Sequence, residues 1–168
     1  MRAMRPAASI GPIACLLAAL ALAACAPLLP APQTPESEVL KTWGPPTASR
    51  PLPGGGHRLE YATGPWGRET WMIDIDAAGR STRARQVLGD TAFIALQQRS
   101  GLTADDVLLE LGTPGERRAA RGGGQTWSWR YPTNDCLRFQ LSVGADGLVL
   151  GGAFLPDPTC DGPNDGFS

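Results

Sequence analysis

The 168-residue sequence predicts an α+β fold of two layers: a helix followed by an antiparallel meander, written twice in tandem, with the helices on one face of the sheet. Three observations lead there. The chain resembles itself at one constant offset, the one that carries Val39 onto Val107, without gaps. Apolar residues alternate with polar ones over short runs, the period of half-buried strands. Glycine-proline stops follow two short runs of helical spacing.

At that offset Val39-Leu40 and Trp43-Gly44-Pro45-Pro46 fall on Val107-Leu108 and Leu111-Gly112-Thr113-Pro114. Gly54-Gly55-Gly56 falls on Gly122-Gly123-Gly124, and Leu59 and Tyr61 on Trp127 and Trp129. Trp71, Ile73 and Ile75 meet Phe139, Leu141 and Val143, and Ala77 and Gly79 meet Ala145 and Gly147. In the second unit Thr103 is a good N-cap with Asp106 three residues on, close to a capping box. Val107, Leu108 and Leu111 then share a face, Gly112 supplies the left-handed stop and Pro114 prevents continuation. The first unit starts its helix at Pro35 and ends it at Gly44.

The strands follow from the alternation of Trp127, Trp129 and Tyr131 with Ser128 and Arg130, and of Phe139, Leu141 and Val143 with Gln140 and Ser142. A turn at Ala145-Asp146-Gly147 leads to Leu148-Val149-Leu150. The first unit offers Leu59 and Tyr61, then Trp71 to Ile75, a turn at Gly79 and a strand from about Ser81 to Leu88. Asp90 reads as the cap of a further helix, Thr91 to Gln98, with Phe93, Ile94 and Leu96 inward. The expected division is a leader, 1–24; a proline-rich linker, 25–35; the first unit, 36–89; the second, 90–160; and a turn-rich tail, 161–168.

The leader has Arg2 and Arg5, an uncharged run from Ala7 to Leu22, and small Ala23 and Ala24 directly before Cys25. Those are the parts of an export signal. The order Leu22-Ala23-Ala24-Cys25 resembles the lipobox of bacterial lipoproteins. That resemblance implies cleavage before Cys25 and a lipid on its sulfur. Ala26 in place of an aspartate after the cysteine implies sorting to the outer membrane, on its periplasmic side. A transmembrane anchor and a plain secretory signal are the competing readings. Alanine richness, Pro12 and the abrupt proline-rich sequel argue against the anchor. Pro27, Pro30, Pro32 and Pro35 make an extended spacer of about 3.1 Å per residue, a reach of roughly 30 Å.

With residues 1–24 removed, the 15 Lys and Arg fall to 13 against 16 Asp and Glu, a formal charge of about −3. No basic face for nucleic acid follows from that balance. Cys136 and Cys160 remain besides Cys25, and in an oxidising compartment they are expected to pair as a disulfide. A metal site is not expected, since His57 is the only histidine and lies far off in sequence. No nucleophile has a base at hand. His57 beside a glycine-rich loop reads as solvated surface, and the triple glycines lack the lysine of a phosphate loop. No cofactor and no small-molecule substrate are expected.

The string Gly101-Leu102-Thr103, Val107, then Leu111-Gly112-Thr113-Pro114 resembles the signature of the SmpA/OmlA (BamE-like) outer-membrane lipoproteins. The aromatic strand Trp127 to Tyr131 and the turn at Asp146-Gly147 match the strand and the turn that come after the signature in that family. Two such units in one chain resemble the architecture of the β-lactamase inhibitory proteins. The resemblance covers about residues 36–155. It implies a fold, because caps and turn glycines are structural devices, and no binding residue is carried over with it. The function expected is that of a lipid-anchored, non-enzymatic envelope protein that binds envelope proteins as an assembly or scaffold accessory. The alternative is an inhibitor of a periplasmic hydrolase. With Trp127, Trp129 and Tyr131 turned under the helices, the opposite sheet face offers Glu60, Met72, Asp74, Arg130, Gln140 and Ser142 as the candidate binding surface.

Overall fold

The protein alternates short helices with hairpins in the computed structural model, which describes residues 28–63, 68–133 and 135–160. In chain order the described elements are α1 (Glu36–Trp43), β1 (Ala48–Pro51), β2 (His57–Thr63), β3 (Glu69–Ile75), β4 (Ser81–Gln86), α2 (Asp90–Gln97), α3 (Ala104–Leu111), β5 (Glu116–Ala119), a single 3-10 turn (Arg121–Gly123), β6 (Gln125–Arg130), β7 (Leu137–Val143) and β8 (Val149–Pro156). The fold is α+β, with two antiparallel four-stranded sheets ordered β1-β2-β3-β4 and β5-β6-β7-β8.

Each sheet gains an edge strand that alternation did not predict. β1 reads Ala-Ser-Arg-Pro and β5 reads Glu-Arg-Arg-Ala, with no apolar face to mark them. They are strands because a partner offers its backbone: Ser49 pairs with Leu59, and Arg117 with Trp127. Leu59 pairs with Ile73 and Trp127 with Leu141. The last strand pairing of each sheet breaks register at Asp74/Ile75 and at Ser142/Val143. Each of these second-sheet positions is reached from its first-sheet counterpart by the same offset that carries Val39 onto Val107.

Two apolar cores result. In the first, Val39 of α1 packs on Leu59, Tyr61, Ile73 and Ile75, with Trp43 and Trp71 at the margin. The second gathers Phe93 and Leu96 of α2 and Val107 and Leu111 of α3 over Trp127, Trp129, Tyr131, Phe139 and Leu141. Phe93 stacks on Phe139 at 4.4 Å between ring centres and meets the edge of Tyr131 at 5.0 Å. Burial of each large apolar side chain is worth roughly 1.5–3 kcal/mol. Ile94, expected inward, points out and is 46% exposed. Phe93 and Leu96 face the core, and Ile94 cannot share that side with Phe93, since neighbours along a helix are turned about 100° apart. The helix begins at Asp90 with Gly89 as its cap residue, so Asp90 lies inside the first turn and is not the cap.

The second core also takes in Met72, Val87 and Leu88 from the segment assigned to the first unit. The expectation of helices on one face of a sheet therefore holds for neither the number of sheets nor their coverage. α1 covers one face of the first sheet, and the end of α3 rests on the other.

The linker expectation also needs correction at its far end. Ser81 accepts from the Gln33 amide at 2.7 Å and donates its own amide to the Thr34 carbonyl at 2.8 Å, and its hydroxyl donates to the Ala31 carbonyl. Residues 31–35 are thus pinned to the start of β4. An exposed proline-rich run offered no hint of this, because the bonds use backbone groups that every sequence has.

α3 shows the expected capping box, with the Thr103 hydroxyl accepting from the Asp106 amide while the Asp106 carboxylate accepts from the Thr103 amide. Those bonds to Thr103 hold the Asp106 carboxyl below its ordinary range. At the other end, Gly112 has φ +79° and donates to the Leu108 carbonyl, as Gly44 does to Leu40 with φ +76°. Their surroundings differ. A Cβ on Gly112 would stand 2.9 Å from Glu60 Cδ and 3.0 Å from Met72 Cε, whereas one on Gly44 would meet nothing within 4 Å. Gly44→Ala should therefore lose only the conformational term, about 1–3 kcal/mol for a backbone region that is essentially glycine-only. Gly112→Ala should lose that plus the clash, at least about 1 kcal/mol more. Denaturant unfolding of the two variants checks this, and equal losses would show that Gly112 is not tightly enclosed.

Candidate functional site

Antiparallel pairing fixes which side chains share the face of the first sheet opposite its core. Residues directly across the ladders share a face, so Arg50, Arg58, Glu60, Met72, Asp74, Arg83 and Arg85 lie together. This is the first half of the surface expected to be open for binding. It is not open: Glu60 and Met72 are each 1% exposed and Asp74 is buried. The end of α3 and the loop after it cover them.

The contact is ionic and well satisfied. Arg58 grips Asp74 through Nε and Nη2, the latter at 2.9 Å, and its Nη1 donates to the Leu109 carbonyl in the last turn of α3. That carbonyl belongs to the group a helix leaves unpaired at its C-terminus, where a positive charge is also favoured by the helix dipole. Glu60 accepts from Arg50 Nη1 at 2.7 Å and from the Thr113 amide at 2.8 Å. Arg50 Nη2 also donates to the Thr113 hydroxyl at 3.1 Å. Both buried carboxylates are therefore matched, Asp74 by the Arg58 fork and Glu60 by one Arg50 nitrogen and the Thr113 amide, the condition under which buried charge is tolerated. Sequence reading missed Arg50, Arg58 and Thr113 in this role. The available signal was Arg58 and Glu60 at alternate positions of a strand, on the face away from Leu59 and Tyr61.

The other half of the expected surface fares differently. Ser142 is exposed, and Gln140 and Arg130 are partly so. Gln140 donates to the Ser128 hydroxyl at 3.0 Å, and Arg138 pairs with Glu116 at 3.2 Å across the same sheet. Trp127, Trp129 and Tyr131 are buried in the core. Trp129 Nε1 donates to the Gly112 carbonyl at 3.2 Å, matching the bond from the Tyr61 hydroxyl to the Gly44 carbonyl at 3.1 Å.

His57 opens β2 instead of lying in a loop, and its Nε2 is 2.8 Å from Glu36 Oε1. Its expected reading as plain surface is thus corrected: the ring ties β2 to the first turn of α1. Among the described residues no group of three or more His, Cys, Asp or Glu side chains gathers to hold a metal. None of the helices among them is long and apolar enough to cross a membrane. Cys25, the leader and the tail from 161 on lie outside the described residues.

Cys136 and Cys160 lie near one another as free thiols. β7 sets Leu137 opposite Pro156, the Asp157 amide donates to the Cys136 carbonyl at 2.7 Å, and a turn closed by Cys160 to Asp157 returns the second thiol. The Cys136 hydrogen bond, with burial adding to it, pushes the Cys160 thiol above its usual range. Thiolate is the reactive form, so closure at neutral pH should be slow without a catalyst. Exposure to an oxidising compartment should leave neither thiol open to labelling and should stabilise the chain by roughly 3 kcal/mol over its reduced form. Labelling of both cysteines in protein taken from that side would contradict the pairing.

Asp157 anchors the same corner. It is buried and meets Arg130 Nε at 2.8 Å. Burial raises its carboxyl, but the Thr159 hydrogen bonds and the Arg130 and Arg138 charges outweigh this and hold it below the ordinary value. A depressed carboxyl contributes stability that is present above the unfolded value, near 4, and lost as pH falls through the folded one. Asp157→Asn should therefore be less stable than the parent at neutral pH, with the gap closing as pH falls below the ordinary carboxylate range. Unfolding midpoints across pH 2–7 check it, and a gap that does not depend on pH would rule the ion pair out.

No protein-family model matches this sequence, and no curated protein matches it. Among solved structures, an extracellular protein containing an SCP domain from Bacillus anthracis str. Ames is similar at 13% identity and a TM-score of 0.29. The match covers 76% of this chain, which spans only 44% of that one. A likeness so loose carries no argument about fold or function.

Proposed function

We propose that the protein is a lipid-anchored envelope lipoprotein that acts by binding other proteins, as an assembly or scaffold accessory resembling BamE, and performs no chemistry of its own. Its body, in this reading, is a tandem pair of one BamE-like unit. Support for the pair comes from bonds that recur at the offset of the sequence repeat. The Glu36 amide donates to Gly79 and the Ala104 amide to Gly147. Ser81 donates to Thr34 and Val149 to Leu102, while Pro35 bridges to Arg80 and Thr103 to Leu148. Both helices end on a glycine of nearly equal torsions, φ 76°, ψ −166° at Gly44 and φ 79°, ψ −169° at Gly112.

The observation that carries the functional reading is the unequal use of the two sheets. The polar face of the first is consumed in holding the chain together, except at its β4 edge, where Arg83 is exposed. The polar face of the second keeps Arg130, Gln140 and Ser142 accessible on a rigid sheet, the kind of support on which a recognition surface is held. The lipobox supplies the anchor, on Cys25, and the bonds that pin segment 31–35 to the start of β4 make the domain begin at about residue 31. The expected setting is the periplasmic side of the outer membrane, with envelope proteins as partners and neither nucleic acid nor a small-molecule substrate.

Cys25→Ser is expected to leave the precursor uncut and without lipid. Cleavage and membrane attachment of that variant would end the lipoprotein reading. Capture with the lipidated chain from solubilised membranes is expected to bring down envelope assembly components, and Gln140→Glu with Ser142→Arg should reduce the yield severalfold. Recovery of a single hydrolase would favour the inhibitor.

A further inference from the structure

The buried face of the first sheet holds more cations than its acids can match. Arg50, Arg58, Arg83 and Arg85 share it with Glu60 and Asp74. Glu60 is taken by Arg50 and Asp74 by Arg58, both in close hydrogen bonds. The surplus is carried at β4. Arg85 is half-buried, and its carboxylate neighbours Asp74 and Glu110 stand 3.7 and 3.8 Å off, too far for hydrogen bonds. Burial, with the charges of Arg58 and Arg83 added, lowers Arg85 from its usual value. Arg83, two residues before it on the same face, is exposed and has no ion pair among the described residues.

These two guanidinium groups border a cavity of about 420 Å³ between β4, α2 and α3. Arg99 borders it as well and reaches Glu110 at 3.5 Å. The start of α2 forms another wall. No side chain caps that helix, and the Ala92 and Phe93 amides both turn to the Gly89 carbonyl. The remaining lining is mixed: apolar Val87, Ala92, Ala95, Leu96 and Leu111 stand beside the polar Gln86 and Thr91. A cleft of this size suits one or two residues of a ligand.

We propose that this cavity binds a peptide carboxylate that stands beside a small apolar side chain, with Arg83 and Arg85 as the fork. This deepens the protein-binding reading and rests on it. Charge chooses the class. The cavity is lined by Arg83, Arg85 and Arg99 against Asp90 and Glu110, a surplus of one positive charge. That surplus suits a monoanion and disfavours a dianionic phosphate. Guanidinium forks match the planar carboxylate in two parallel bonds. The apolar lining then receives the neighbouring side chain. The carboxylate can be a chain terminus or an acidic side chain, and the experiment separates the two.

The test uses the lipidated full chain in detergent, labelled with nitrogen-15. The arginine Nε and the Thr91 and Ala92 amide signals are followed during titration. The probes are acetyl-Gly-Gly-Val with a free carboxylate, the same peptide as its amide, acetyl-Gly-Glu-Val amide, and inorganic phosphate. Saturable shifts with one or both carboxylate peptides, at least tenfold weaker for the neutral amide, support the proposal and identify the source of the carboxylate. Equal response to the neutral amide, stronger response to phosphate, or no response to any probe overturns it. Arg83→Gln with Arg85→Gln should abolish the shifts. Ala95→Glu, an exposed position at the mouth, should weaken binding at least tenfold without touching the packing. Binding that survives both variants overturns the assignment. If the arginine variant captures the same envelope proteins in undiminished amount while losing the peptide, the scaffold reading stands and the cavity is not its recognition site. If capture fails for the parent chain but the peptide still binds, the scaffold reading falls alone.

Discussion

Holding the two halves of this protein together requires the C-terminal end of α3 to sit against a sheet made by the other half. Arg58 and Glu60 make that possible. They are two residues apart on β2, so they point the same way, and each meets a backbone group that the end of α3 leaves over: the Leu109 carbonyl and the Thr113 amide. Asp74 and Arg50 balance their charges. Breaking one partner of such a buried pair generally costs about 3–5 kcal/mol, because the other is left uncompensated. A purely apolar contact would bury the same area without supplying partners for those backbone groups.

That arrangement determines what else the molecule can do. With one face under α1 and the other under α3, the first sheet has become an internal wall. Gly112 lets the loop after α3 approach it so closely that a single methyl group would collide with Glu60, Met72 and Thr70. Recognition is left to the outer face of the second sheet and to the cationic cleft beside β4. The second sheet is fastened in turn at its far corner, where Asp157 binds Arg130 and its amide donates to the Cys136 carbonyl.

Reading from the sequence reached the parts that depend on neighbours along the chain. The capping box at Thr103 and Asp106, the stop at Gly112 and the strands carrying Trp127 to Arg130 and Phe139 to Val143 involve short separations and fixed periods. The edge strands β1 and β5 escaped because their strand character comes from the backbone they pair with. Ile94 was misplaced because three apolar residues within four positions do not say which two face inward. The candidate surface was half legible. Alternation put Glu60, Met72 and Asp74 on the face opposite the core, as they are, but which faces stay wet depends on how one half docks on the other.

By itself, then, the sequence determined the local grammar of the protein: where helices stop, which strand residues are apolar-facing, and the self-similarity of its two halves. Only the tertiary structure decided what the polar faces do. Charged side chains on a strand look alike whether they meet water or a helix end, since the pattern of alternation is the same in both cases. Their fate is settled by groups far away in the chain: Leu109, Thr113 and Glu110 for the first sheet, Asp157 for Arg130. Charge pairing over such distances leaves no periodic trace in a sequence, because its geometry is set by the docking of whole elements and not by the spacing of residues.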